Sequence, residues 1–172
     1  IGVRPGIAGG RLLTSIGLLW MSAVNVSSGY LQVVGGLSLA AAGMALAFPA
    51  ATEAIVGSLP QDKAGVASAV NDTTREVGAA VGIALLGSLM SSGYRRSVGD
   101  AVDALPAAAA EAARDSVGAA LHVAQQAPES VRSGLVLTAR TGFAEGYSLA
   151  MMVGAALLVT TAAVVFPWFP KD

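Results

Sequence analysis

The chain has 172 residues, of which 54% are hydrophobic and only 12% are charged, and its net charge is −1. Soluble domains average about 25% charged residues, so this composition indicates a protein in contact with lipid. The near-neutral charge excludes the electrostatic footprint of a nucleic-acid-binding protein. The sequence contains no cysteine, which excludes disulfides and thiolate metal sites. The first residue is Ile1 rather than methionine, and we expect the chain to begin within a longer protein.

Four apolar segments are long enough to cross a bilayer, which takes about 20 helical residues. They are residues 7–26, 31–56, 64–92 and 146–166. A tight turn at residues 27–30 predicts that the first two spans form an antiparallel hairpin. The sequence therefore predicts an all-α membrane protein with four transmembrane helices.

Residues 93–144 separate the third span from the fourth. Pro106 begins an alanine-rich helix that extends to about Gln126, and its polar face comprises Glu111, Asp115, Gly118, His122 and Gln125. Pro128 ends that helix, and a second helix runs from Glu129 to about Thr141. We expect a structured helical hairpin outside the membrane, and a solvated loop with fraying helices is the alternative. The single histidine, His122, is interpreted as a solvated residue.

The third span has charged residues in the part of its sequence that is needed to cross the membrane. Its uncharged part, residues 77–90, would reach only about 21 Å at 1.5 Å per residue, which is too short. A span of about 20 residues places the boundary near Thr73. Arg75 and Glu76 then lie within the edge of the membrane, with Asp72 at its border. Ionisable groups at this depth are costly unless they are paired or face a wet cavity.

Asp72 lies three residues before Arg75, and Asn71 lies four residues before it. Each therefore shares a helix face with the arginine. We interpret them as cavity-lining or gating residues of a transport cleft. The alternative is the start of a helix with snorkelling side chains and a local ion pair. An aspartate beside an arginine stays ionised, which argues against Asp72 as a proton carrier.

Four further positions of the spans are candidates for gating, a helix kink or packing: Pro49, Glu53, Gly78 and Gly82. Glu53 lies one turn after Pro49, and a proline there frees a backbone carbonyl and bends the helix, as a gate requires. The alternative is a glutamate that simply reaches the interface. Gly78 and Gly82 form a GxxxG pattern, which predicts a close helix contact. The sequence contains no metal-ligand cluster, phosphate loop or nucleophile–base pair, so we expect neither an enzyme nor a cofactor.

Two segments carry a family resemblance: residues 43–52, GMALAFPAAT, and residues 64–78, AGVASAVNDTTREVG. They resemble the late helices of the major facilitator superfamily, and more narrowly its drug:proton antiporters with fourteen transmembrane helices. The characteristic positions of the second segment are matched here by Ala64, Gly65, Ser68, Asn71, Arg75, Gly78 and Ala79. A long extracytoplasmic segment before the last helix is also a trait of that family.

The resemblance implies the C-terminal fragment of a proton-driven multidrug efflux transporter of the bacterial inner membrane. Its partners would be the lipid bilayer, the preceding helices of the same transporter, protons and a small hydrophobic or cationic solute, without nucleic acid. Basic residues are shared equally between the two sides and do not orient the bundle. The resemblance places both ends and the linker 57–63 in the cytoplasm. The alternatives are a transporter of another small solute in the same superfamily and a non-transport scaffold of four membrane helices.

Overall fold

The computed structural model describes residues 2–103 and 105–166, and these form an all-helical protein. The helices are α1 (Val3–Ser22), α2 (Tyr30–Val56), α3 (Ala64–Val98), α4 (Ala107–Asp115), α5 (Val117–Gln126) and α6 (Glu129–Val165), with short 3-10 turns at Gln61–Lys63 and Asp100–Val102. Three of them, α2, α3 and α6, are long and apolar enough to cross a membrane. Helix α1 is not one of these, and its sequence contains two arginines, Arg4 and Arg11, besides several glycines and serines. The fourth span therefore stays a prediction.

The first helix begins and ends earlier than the predicted span, residues 7–26. It ends at Ser22 because a hydrogen-bonded turn follows. The side-chain oxygen of Asn25 accepts hydrogen bonds from the backbone N–H and the hydroxyl of Ser27, at 2.9 and 2.7 Å. The side chain of asparagine in such a turn forms hydrogen bonds that compete with those of a helix. The helix therefore ends here, although the residues that follow Ser22 are largely apolar.

Helices α1 and α2 form an antiparallel hairpin whose backbones touch at glycines. A Cβ atom built on Gly10 would lie 2.6 Å from the carbonyl oxygen of Gly43, and one built on Gly17 would lie 2.5 Å from the backbone nitrogen of Ala40. A Cβ on Gly43 would lie 2.4 Å from the nitrogen of Thr14. These distances are too short for any side chain, so glycine is required for the observed separation of the two helices.

Polar side chains of α1 reinforce its contacts with both neighbours. The buried hydroxyl of Ser15 donates to the carbonyl of Ala155 in α6, at 3.2 Å. The guanidinium of Arg11 donates to the carbonyl of Thr161 in α6 at 3.3 Å. The indole of Trp20 donates to the carbonyl of Gln32 in α2 at 3.0 Å. Such interhelical hydrogen bonds contribute because an apolar environment offers no water as a competing partner.

Helix α6 is one uninterrupted helix, and this corrects the prediction of a separate helix from Glu129 to Thr141. The predicted last span, residues 146–166, is its continuation. The glycines between the two parts do not break the helix but allow it to pack on α3. A Cβ on Gly142 would lie 2.7 Å from the Cβ of Ser97, and one on Gly146 would lie 2.5 Å from the carbonyl oxygen of Met90.

The segment between α3 and the last span is packed around a small core. Its buried residues are Tyr94, Val98, Val102, Ala110, Ala113, Ala120, Ala124, Leu135 and Ala139. The hydroxyl of Tyr94 donates to the carbonyl of Ala113 at 2.7 Å, which ties the end of α3 to α4. We call residues 94–139 the cap. A solvated loop with fraying helices would not bury these side chains.

The alanine-rich stretch of the cap is two helices and not the single helix predicted from Pro106 to Gln126. Ser116 is extended, and its side chain caps α5 by accepting from the backbone N–H of Ala119 at 3.1 Å. Serine is a strong N-cap residue, so a new helix starts there. The predicted polar face is consequently divided between α4 and α5.

Adjacent glycines of α1 provide a matched test of the hairpin. We expect Gly10→Ala to destabilise the protein by about 1–3 kcal/mol, because the added methyl group overlaps the backbone of α2. Gly9→Ala is the control, because no described atom lies within 4 Å of a Cβ at that position. It should be neutral or slightly stabilising, since alanine is the better helix former. Unfolding of both variants in detergent measures the difference, and equal stabilities would contradict the packing described.

Candidate functional site

The polar residues predicted on the third span lie near the start of α3, and their burial differs. Asn71 is buried, with 5% of its surface exposed, whereas Asp72 and Arg75 are exposed. The amide nitrogen of Asn71 donates to a carboxylate oxygen of Asp72 at 3.3 Å. A buried amide needs a hydrogen-bond partner, and the neighbouring carboxylate provides one.

Arg75 packs on an aromatic ring of the neighbouring helix. Its guanidinium carbon lies 4.8 Å from the ring centroid of Phe48 in α2, within the range of a cation–π interaction. The ion pair between Asp72 and Arg75, offered as the structural alternative for this cluster, does not form among the described residues. Arg75 thus contacts Phe48 of α2, and Asp72 accepts a hydrogen bond from Asn71.

These side chains border an open groove of about 780 Å³. Its walls come from three helices: Phe48 from α2, Leu158 from α6, and Asp72, Arg75, Glu76, Gly78 and Ala79 from α3. The volume lies within the range of small-molecule sites, which is roughly 300–1,000 Å³. An apolar wall thus faces two carboxylates and one guanidinium.

Glu53 does not belong to this groove. It lies on the exposed surface of α2, one turn beyond Pro49, and α2 continues through the proline to Val56. The carbonyl of Glu53 accepts the N–H of Gly57 at 2.8 Å, a hydrogen bond of the last turn of α2. Its gating role, and the kink at Pro49, stay predictions.

The GxxxG pattern of α3 contacts no helix among the described residues. No described atom lies within 4 Å of a Cβ built on Gly78 or Gly82. Gly78 borders the groove, where the missing side chain leaves space. The close helix contact predicted from the pattern stays a prediction that requires a partner beyond these helices.

The titratable groups in the part of the chain that the structure describes form no cluster that could hold a metal ion. No group of three histidine, cysteine, aspartate or glutamate side chains converges there. His122 is exposed on α5, and its Nε2 lies 3.0 Å from the amide nitrogen of Gln126.

Four residues of the groove were not singled out as site residues by sequence reasoning: Phe48, Glu76, Ala79 and Leu158. Glu76 was predicted at the membrane edge and Ala79 matched the family pattern, whereas Phe48 and Leu158 come from other helices. Phe48 lies within the family-like segment 43–52, yet the sequence does not indicate that its ring faces Arg75. Leu158 is far along the chain on α6, and nothing in an apolar helix marks one leucine over another. Both are placed by tertiary packing alone.

Comparisons with known proteins place the whole chain beside drug-resistance proteins. No family model matches it. The chain is 30% identical to "Multidrug efflux pump LfrA" of Mycolicibacterium smegmatis, over 91% of this chain and 31% of that protein. It is 30% identical to "Multidrug resistance protein Stp" of Mycobacterium tuberculosis, over 100% of this chain and 33% of that protein. It is also 30% identical to "Methyl viologen resistance protein SmvA" of Salmonella typhimurium, over 98% of this chain and 34% of that protein.

The chain is similar to multidrug efflux proteins. It spans about a third of the length of these curated relatives. Their names indicate transporters and not enzymes. Together with three helices able to cross a bilayer, the similarity indicates a membrane protein.

The contact between Phe48 and Arg75 predicts a measurable coupling. In a double-mutant cycle of Phe48→Leu and Arg75→Gln, we expect a coupling energy of about 0.5–1 kcal/mol, because an exposed cation–π pair contributes that much. Unfolding of the four variants in detergent measures it. A cycle of Phe48→Leu with Arg96→Gln, at the other end of α3, should show no coupling. Equal values for the two cycles would contradict the contact.

Proposed function

We propose that the chain is the C-terminal part of a proton-driven multidrug efflux transporter of the bacterial inner membrane. Within the major facilitator superfamily it would belong to the drug:proton antiporters with fourteen helices, and supply the last four. The observation that carries the proposal is the similarity of 91–100% of the chain to proteins named for multidrug efflux and resistance. The names of the relatives supply the substrate class, and the coupling to protons follows from the family resemblance.

The packing of α1 supports its assignment as a fourth span. Its 20 residues reach about 30 Å, the thickness of the hydrocarbon core. The polar groups of α1 are turned toward α2 and α6, where Ser15 and Arg11 donate to α6 carbonyls. Large apolar side chains cover its outer side, where about half the surface is exposed at Leu12, Ile16, Leu19 and Trp20. This distribution suits a helix that meets lipid on one side.

The groove supports a hydrophobic or cationic solute as the cargo. Phe48 and Leu158 offer apolar contact, while Asp72 and Glu76 offer negative charge. A lipophilic cation combines the two properties that such walls recognise. We assign Asp72 and Arg75 to lining the cavity, with Asn71 orienting the carboxylate of Asp72. Glu53, on the same half of α2, is assigned to gating.

The exposed face of α3 supports a longer protein. Only 6% of its most apolar stretch is buried, and Val66, Val77, Val81 and Ile83 are all more than half exposed. We assign this face, with Gly78 and Gly82, to contact with preceding helices of the same transporter. The family resemblance orients both ends and the linker 57–63 toward the cytoplasm and residues 93–144 toward the outside.

Replacement of the groove carboxylate should impair transport. In the full-length protein, Asp72→Asn or Arg75→Ala should lower dye uptake into everted vesicles by a factor on the order of ten, the equivalent of one charge-assisted hydrogen bond. Glu111→Gln, on the exposed surface of α4, is the control and should leave dye transport unchanged.

Three outcomes would overturn parts of the proposal. Unchanged dye transport at normal expression would make Asp72 and Arg75 structural residues. A full-length protein that moves another small solute and no dye would favour the rival transporter in the same superfamily. A gene that encodes these helices alone, and supports no transport, would favour the membrane scaffold.

A further inference from the structure

A second cavity lies at the opposite end of the bundle from the groove, beside the turn that joins α1 to α2. Its volume is about 420 Å³. Its wall is largely apolar and includes Val33 of α2, Val117 of α5 and Phe143 of α6. Two polar side chains border it, Asn25 of the turn and Arg140 of α6. We call it the turn pocket.

Arg140 brings an uncompensated positive charge to the turn pocket. Its side chain makes no hydrogen bond or ion pair with any residue that the structure describes, whereas Arg95, Arg114 and Arg132 of the cap each pair with an acid. Arg96 is also without an ion pair among the described residues, but it does not border the turn pocket. The nearest acid along α6, Glu145, accepts from the hydroxyl of Ser97 at 3.1 Å and borders an adjoining groove, which shares Asn25 and Ala144 with the turn pocket. A guanidinium offers five N–H donors, so the turn pocket is complementary to an anion.

Asn25 presents a second donor to the same space. Its side-chain oxygen is occupied by the N–H and hydroxyl of Ser27. This arrangement leaves the amide NH₂ group without an acceptor among the described residues. An oxygen-rich anion beside Arg140 would provide that acceptor.

The α6 residues of the turn pocket run from a charged to an aromatic side chain along the helix. Asn25 lies just beyond the end of α1, and Arg140 precedes the predicted last span, residues 146–166. Tyr147 lies seven residues further along α6, which is about 10 Å deeper at 1.5 Å per residue. The rings of Phe143 and Tyr147 are stacked, with their centroids 6.5 Å apart. Aromatic rings at this depth are typical of the lipid interface.

We propose that the turn pocket binds one anionic phospholipid. Its phosphodiester accepts hydrogen bonds from Arg140 and Asn25, and an acyl chain lies along Phe143 and Tyr147. Basic pockets between membrane helices bind lipid head groups in this manner. A free phosphate shares the head-group chemistry but cannot use the apolar wall. The inference requires that the helices lie in a bilayer and is independent of what the protein transports.

Native mass spectrometry of the purified chain in detergent tests the proposal, with dioleoylphosphatidylglycerol as the anionic lipid. Dioleoylphosphatidylcholine is the lipid without net charge, and inorganic phosphate is the free anion. We expect one phosphatidylglycerol to bind in preference to phosphatidylcholine, without measurable binding of phosphate at the same concentration. Arg140→Gln should weaken phosphatidylglycerol binding by about tenfold, the effect of losing a charge-assisted hydrogen bond.

Two further variants make the result specific. Arg96→Gln removes the same charge from an exposed position at the same end of the bundle, outside the turn pocket, and should leave the affinity unchanged. Ala144→Phe fills the turn pocket and should weaken the binding of both lipids. Equal lipid affinities of the Arg140→Gln and Arg96→Gln variants would overturn the proposal. So would inorganic phosphate that binds as tightly as the lipid.

Discussion

Close approach of helix backbones at glycine is the constraint on which the rest of this structure depends. Lipid tails are as apolar as leucine side chains, so membrane helices associate through dispersion contacts and interhelical hydrogen bonds, both of which require short separations. Gly10, Gly17 and Gly43 bring α1 against α2, and Gly142 and Gly146 bring α6 against α3. At the separation that the α1 and α2 glycines allow, the hydroxyl of Thr14 donates to the carbonyl of Ala40 in α2 at 3.4 Å. A longer side chain at Gly10, Gly17 or Gly43 would separate α1 from α2 and remove that contact.

Helix α6 connects the regions that matter for function. Its first part supplies Leu135 and Ala139 to the core of the cap, Arg140 lies at the turn pocket, and Leu158 lies at the groove. The helix is continuous because its glycines allow close packing on α3 and remain helical. A rigid element of 37 residues therefore holds the cap and the groove at a fixed distance from each other. Movement of one against the other would require bending of α6.

Much of the membrane architecture could be predicted from apolar length, and the charged start of α3 from the shortness of residues 77–90. The contact partners of individual side chains could not be predicted, because they depend on how neighbouring helices pack. Arg75 has two acids close in sequence, yet it packs on Phe48, which only the α2–α3 arrangement brings near. The predicted helix boundaries were wrong where a hydrogen bond of one polar side chain ends or starts a helix. Asn25 does so after α1, and Ser116 does so before α5. The sequence analysis expected one helix to end near Thr141 and the last span to begin at residue 146, whereas α6 is continuous through both positions and packs on α3 at Gly142 and Gly146.

The central claim is that α3 crosses a bilayer with its polar first turns at an aqueous edge. The chain has no cysteine, so single cysteines can be introduced without removing others. A membrane-impermeant maleimide should label Thr73→Cys from one side of intact membranes and Arg96→Cys from the other. Ile83→Cys, at a position 75% exposed in the structure, should react only after detergent is added, because it lies at the depth of the hydrocarbon core, which the water-soluble reagent does not enter. Labelling of Ile83→Cys in intact membranes, or of Thr73→Cys and Arg96→Cys from the same side, would contradict the account.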